Sequence, residues 1–207
     1  MSQDSKIEIP MSKHFFPPLL AIIGKEKYER VFARYRDLYA NHDLPQNQFL
    51  RLHLSEGILP GLAFYQILKE SGESQESALM SIDHAFEQLF SDNVKKMKKL
   101  GRLPFIYPLL RLFIKRAMRP YPPEGWKIEW IQNDKKAIRF NMKSCFYHDI
   151  LSKYGAPELT ASFCHVDDLI YGNMSPDLLW QRPMTIAGGD AYCDFCFARA
   201  KKGRILK

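Results

Sequence analysis

Seven residues, Arg119-Pro120-Tyr121-Pro122-Pro123-Glu124-Gly125, divide this sequence into two stretches with different hydrophobic periods. Each proline lacks a backbone N–H and restricts the residue before it, so no helix runs through the segment. Ahead of it the apolar period is helical. Tyr28, Val31, Phe32, Tyr35, Leu38 and Tyr39 recur at three- and four-residue steps, and Asn41-His42-Asp43-Leu44-Pro45 ends that run. A second periodic stretch covers 49–68, with Gly57 and Pro60-Gly61 predicting a break or kink. Ser74 and Ser77 are N-cap candidates for a third helix carrying Ala78, Ile82, Phe86 and Leu89, and a fourth is predicted over 109–117.

After Gly125 the period becomes two. Trp126, Ile128 and Trp130, then Ile138, Phe140 and Met142, alternate with polar residues on either side of Gln132-Asn133-Asp134-Lys135-Lys136, a hairpin with one buried face. Helices are predicted over 144–154, stopped by Gly155, and from Pro157-Glu158 to Gly172. Strands are predicted over 178–186 and 191–199, about a Gly188-Gly189-Asp190 turn. The fold class that follows is α+β: an N-terminal helical half packed on a C-terminal antiparallel four-stranded sheet of ββ-αα-ββ order. The helical region is 1–120 and the α+β region 121–207, expected to form one compact unit. At 207 residues such a chain buries a core without covalent staples.

The formal charge of +7 is local. Nine basic residues and no acid lie between Val94 and Arg119, and without those nine the charge becomes −2. Basicity confined to one stripe points away from nucleic acid. It reads as the solvated face of two helices joined by a buried hydrophobic elbow, Leu103-Pro104-Phe105-Ile106-Tyr107-Pro108-Leu109-Leu110. Peripheral contact of residues 95–119 with an anionic membrane is the less favoured reading. No stretch approaches the roughly 20 apolar residues of a membrane span. The first apolar run contains Pro17-Pro18 and the N-terminus lacks the charged region and cleavage site of a secretory signal, so the chain reads as cytoplasmic with reduced thiols.

All four cysteines fall in the last third, among carboxylates and imidazoles. With Ser144 as N-cap, Cys145 would lie in the first turn of a helix, where free amides lower a thiol pKa, with His148 and Asp149 on the same face. Cys164, Asp167 and Asp168 are spaced to share a helix face. Cys193 and Cys196, three apart in a strand, point to opposite faces, against a chelating or redox pair. A zinc site assembled from Cys145, Cys164 and Cys193, with His148 or His165, is a weak alternative to a site without a cofactor.

The order Cys145, Gly155-Ala156-Pro157-Glu158-Leu159, Cys164-His165-Val166-Asp167, Arg182-Pro183-Met184-Thr185, Gly188-Gly189-Asp190, Cys193-Asp194-Phe195 resembles the L-2-amino-thiazoline-4-carboxylic acid hydrolase family. Gly57-Ile58-Leu59-Pro60-Gly61-Leu62-Ala63-Phe64-Tyr65 and the helix beginning at Ser74 look like its helical half. The resemblance implies opening of a thiazoline or related cyclic amidine ring, converting L-2-amino-thiazoline-4-carboxylate to N-carbamoyl-L-cysteine. In that reading Cys164 or Cys193 is the nucleophile and Cys145 a third candidate. Asp167 and Asp194 hold the amidinium, Arg182 the substrate carboxylate, and Thr185 and His165 line the substrate site. The reading of another class is a non-catalytic small-ligand or metal-binding module whose helical half binds a partner. Oligomeric state is not legible.

Overall fold

A computed structural model describes residues 12 and 15–200; the N-terminal stretch read above and residues 201–207 lie outside the described residues. The chain forms two compact units, Met1–Leu89 and Phe90–Lys207. The division falls ahead of the proline-rich break, so two basic helices share a unit with the sheet.

The first unit contains helices α1 (Phe16–Ile23), α2 (Lys25–Ala40), α3 (Gln48–His53), α4 (Leu59–Glu70) and α5 (Gln75–Leu89). Phe16 of α1 packs on Phe32 and Tyr35 of α2, with ring centroids 5.1 and 4.9 Å apart, at a core that also buries Leu54, Leu62 and Phe86. Each such apolar side chain contributes about 1.5–3 kcal/mol by leaving water. The expected interruption near Gly57 is a π-helical turn, Leu54–Ile58, that runs directly into α4. Pro60 falls in the first turn of α4, where no N–H partner is required. Of the two cap candidates, Ser74 serves: its hydroxyl accepts from the Ser77 amide at 3.1 Å.

The second unit opens with α6 (Ser91–Gly101) and α7 (Ile106–Ala117). The elbow between them is not buried as expected. Ile106 and Tyr107 are inside, but Leu103 is 46% and Phe105 78% exposed, and Phe105 has a left-handed backbone, φ 64. The C-terminus of α6 is fixed at Gly101, where any β-carbon would collide with the Met174 carbonyl.

Strands β1 (Ile128–Asn133), β2 (Ala137–Met142), β3 (Leu178–Gln181) and β4 (Cys193–Arg199) form one antiparallel sheet in the order β1-β2-β4-β3. The α+β class and the four-stranded antiparallel sheet are as predicted. Asp134 closes the hairpin by accepting the Lys136 and Ala137 amides at 2.7 and 3.1 Å. One irregularity escaped the period-two reading: the register shifts between Trp130 and Gln132, leaving Ile131 54% exposed.

The expected strand over 178–186 stops at Gln181. Pro183 cannot donate to a ladder, and beyond it local bonds replace sheet pairing. The Asp190 carboxylate accepts the Thr185 amide at 2.8 Å, and Thr185 Oγ1 accepts from Gly188 at 3.0 Å, capping a 3-10 turn, Ile186–Gly188. Gly189, at φ 93, ends that turn in a conformation that side chains resist. Strand β4 accordingly begins at Cys193 rather than at 191.

Between the two hairpins lie α8 (Phe146–Lys153) and α9 (Thr160–Gly172), separated by Gly155 in the left-handed conformation (φ 67) expected of a helix stop and by a 3-10 turn, Pro157–Leu159. Helix α9 meets the sheet through Tyr171, whose ring lies 5.1 Å from Trp180 and 5.5 Å from Phe197. Phe195 on the same sheet face stacks on Phe140 at 5.0 Å. Cys193, at the start of that row, is thereby turned toward the helices.

Candidate active site

Three elements supply the polar groups of the second unit's interior. Helix α9 carries Cys164, Asp167, Asp168 and Tyr171 at three- and four-residue spacing, so one flank presents a thiol, two carboxylates and a phenol. Strand β4 supplies Cys193, and the loop after β3 supplies Arg182.

Arg182 ties these elements together. Its side chain is 2% exposed, with Nη1 3.0 Å from Asp167 Oδ2 and Nη2 3.0 Å from Asp168 Oδ2. Nη2 also donates to the Cys164 carbonyl at 2.7 Å. The guanidinium lies 5.7 Å from the Trp180 ring and 5.3 Å from that of Phe195, and the Trp180 indole donates to Asp168 Oδ1 at 2.8 Å. Nη1 and Nη2 together make three bonds to α9, so the guanidinium clamps that helix. Nε is buried without a hydrogen-bond partner among the described residues.

Asp167 is pushed up to about 6 by desolvation, opposed by Arg182 and reinforced by Asp168. Its side chain nonetheless keeps 40% of its exposure. Part of the carboxyl therefore stays open to water beside the clamp. Around it stand Tyr121, Tyr147 and Tyr171, each raised above the usual phenol range chiefly by burial; the Asp167 charge comes next for Tyr121 and Tyr171, and follows Tyr121 among the causes for Tyr147. Tyr121 packs edge-on against Trp126 at 5.0 Å, so the proline-rich break contributes to these surroundings.

Cys145, Cys164 and Cys193 lie within electrostatic reach of one another. The Cys145 and Cys193 thiolates would each raise Cys164, Cys193 would raise Cys145, and Arg182 and Asp167 act on both Cys164 and Cys193. Burial dominates: Cys145 is pushed up to about 11, Cys164 to about 12, and Cys193 is raised as well. The depressed thiol expected of Cys145 is thus corrected. Cys145 is itself the N-cap of α8, with no formed cap bond; the His148 and Tyr147 amides favour its thiolate but are outweighed by desolvation. Ser144, the expected cap, is diverted: its hydroxyl accepts the Lys127 amide at 2.9 Å. Cys193 Sγ accepts the Ile186 amide at 3.2 Å.

The other expected site residues are placed differently. Asp194 points to the far face of β4, where Oδ1 accepts the Met184 amide at 2.7 Å and its own amide donates back to the Met184 carbonyl at 3.2 Å. It braces the loop that holds Arg182 and is not beside Asp167. Thr185 Oγ1 caps the turn next to Cys193. His165 is half-buried on α9, His148 Nδ1 lies 3.4 Å from Thr160 Oγ1, and Asp149 is exposed. Cys196 pairs across the ladder with Arg139, separate from the three thiols, as strand alternation requires. Among the described residues, no three His, Cys, Asp or Glu groups are disposed to hold a metal.

Residues 51–197 match the family model described as L-2-amino-thiazoline-4-carboxylic acid hydrolase. The chain belongs to this family. No curated protein and no solved structure matches it. The matched range takes in every cysteine, Asp167, Arg182 and Asp194. Reading the residues one motif at a time missed Trp180 and the three tyrosines near Asp167. Tyr171 had a local signal, since it follows Asp167 by four residues on one helix. Tyr121 had none, because only the tertiary fold brings the proline-rich segment to α9. Among the described residues no helix is long and apolar enough to cross a membrane.

Proposed function

We propose that this protein hydrolyses a five-membered cyclic amidine of the 2-aminothiazoline-4-carboxylate type to an N-carbamoyl-cysteine. The observation that carries the reading is that Asp167, raised to about 6 and partly open to water, is held by Arg182 and lies in electrostatic reach of Cys164 and Cys193 inside the family-matched segment. The reacting carbon lies between the ring nitrogen and sulfur, and its amidine is a cation when protonated. Ionised Asp167 supplies the opposite charge, with Arg182 fixing the carboxylate's orientation rather than gripping the substrate.

Cys193 is the nucleophile in this reading. Its sulfur is set by the sheet and accepts the Ile186 amide at 3.2 Å. In the free protein burial keeps the thiol protonated. An amidinium binding beside Asp167 brings the positive charge that favours the thiolate, so the Cys193 proton passes to Asp167 when substrate is present. The sulfur adds to the ring carbon; the ring carbon–sulfur bond breaks, and its electron pair leaves with the ring sulfur, which takes that proton from Asp167. The product is an isothiouronium joined to Cys193. Water, deprotonated by Asp167, adds to the same carbon, and the Cys193 sulfur departs to leave the urea of the N-carbamoyl product. Each step conserves atoms and needs no redox partner.

The test is turnover of L-2-amino-thiazoline-4-carboxylate by purified protein, followed as release of a new free thiol. Wild type should turn over, Cys193→Ser and Asp167→Asn should not, and acid-quenched wild type should carry the isothiouronium mass on Cys193. Full activity in Cys193→Ser would refute the covalent route. Tight binding of the cyclic amidine without turnover by wild type would instead favour a ligand-binding module.

A further inference from the structure

We propose that α6, the elbow and α7 form a docking surface for an anionic lipid membrane. This inference is independent of the proposed chemistry. Helix α7 has two apolar rows. Ile106, Tyr107 and Ile114 are buried, whereas Phe105, Leu109, Leu112 and Phe113 are 78, 39, 70 and 53% exposed. The exposed four stand at i, i+4, i+7 and i+8, which places them on one outward line. Phe105 heads that line at φ 64, a conformation that a bulky side chain resists, so the backbone holds the ring out in water against its own preference.

Charge identifies the occupant. Nine basic residues and no acid lie between Val94 and Arg119, and among the described residues the stripe's ion pair is that of Lys95 with Asp92 at 2.9 Å. Lys98, Lys99 and Arg102 are exposed leading into the elbow, and Arg116 and Arg119 are exposed beyond the apolar line. A second copy of the chain would set this cationic face against itself. Nucleic acid would satisfy the cations but leave Phe105, Leu112 and Phe113 in water. An anionic bilayer surface satisfies both: the rings and leucines enter the headgroup boundary while the cations meet lipid phosphates. With 12 residues, α7 extends about 18 Å and lies in the plane of the interface rather than across it.

The test is co-sedimentation of the full chain with vesicles of phosphatidylcholine alone or mixed with phosphatidylglycerol, at low and high salt. Binding is expected to the mixed vesicles, to weaken at high salt, and to fall at least about tenfold in Phe105→Ser/Phe113→Ser and in Lys98→Glu/Arg102→Glu. These exposed substitutions should leave circular dichroism unchanged, so lost binding is not lost folding. No binding to the mixed vesicles, equal binding to both compositions, or undiminished binding by both variants would overturn the proposal. So would a wild-type dimer that Phe105→Ser/Phe113→Ser converts to monomer without any vesicle binding.

Discussion

Arg182 Nη1 stands 3.0 Å from Asp167 Oδ2, yet the carboxyl still lies above the usual carboxylate range, at about 6. Desolvation outweighs the adjacent cation. Because Asp167 acts as a base only when ionised, kcat/KM should rise with pH through a limb near 6. In Arg182→Met desolvation is unopposed, and the limb should move up by roughly one unit or more. A limb that stays in place in the pH–rate profile would remove Asp167 from the role.

The same shift has a stability consequence of opposite sense. Asp167 binds its proton more tightly folded than unfolded, so its contribution favours the fold at low pH. That contribution declines as pH rises from the unfolded value, about 3.9, through about 6. Asp167→Asn carries no titrating proton at this position. The difference between the thermal melting curves of the two proteins should therefore change in favour of the variant across that window, and should be flat above it.

Thiol reactivity should follow burial. With Cys145 raised to about 11 and Cys164 to about 12, neither is a thiolate near neutrality. Alkylation of both by iodoacetamide at pH 7 should be slower than that of free cysteine and should climb steeply above pH 9. Peptide mapping of the labelled protein reads each site separately. Rapid labelling of Cys145 at pH 7 would contradict the burial that the fold assigns it.

Asp194 should behave as a brace. Asp194→Ala loses the 2.7 Å bond to the Met184 amide and leaves that donor unsatisfied, which destabilises by about 1–3 kcal/mol. Turnover should fall about 10–100-fold through misplacement of Arg182, with the limb near pH 6 unmoved. Asp194→Asn, which retains an accepting oxygen, should recover most of both losses. An effect on the pH limb would instead mark Asp194 as part of the proton chemistry.

Gly101→Ala sets helix propensity against sterics. Alanine is favoured over glycine by about 1 kcal/mol within a helix, but here its β-carbon would meet the Met174 carbonyl, a backbone atom with little freedom to move. Overpacking of about 1–3 kcal/mol should win, and thermal denaturation should show a lower Tm.

What could be read from residue order was what depends on neighbours in sequence. The Trp130 and Phe140 alternation gave the hairpin, Gly155 the helix stop, and the Cys193–Cys196 spacing the separation of those two thiols onto opposite faces. What escaped depends on the tertiary fold. Ser144 is the better N-cap by residue type, but its hydroxyl is taken by Lys127 from across the hairpin, and Cys145 inherits the position. The strand predicted through 186 is cut short by Pro183 and by a carboxylate, Asp190, that binds Thr185 more locally than any strand could. The Cys145 pKa differs from expectation for the same reason: a helix start lowers it, but only the packed interior shows that burial prevails.

The ladder that pairs Cys193 with Met142 and Asp194 with Asn141 also limits how such a chain can vary in length. Extra residues in the loop between Gln181 and Cys193 leave the strand's alternation intact. A single residue inserted between Asp194 and Phe195 would turn the thiol and the loop brace to each other's faces in one event. Across relatives, gaps should therefore gather in the loop and be missing from the five positions 193–197 that follow it.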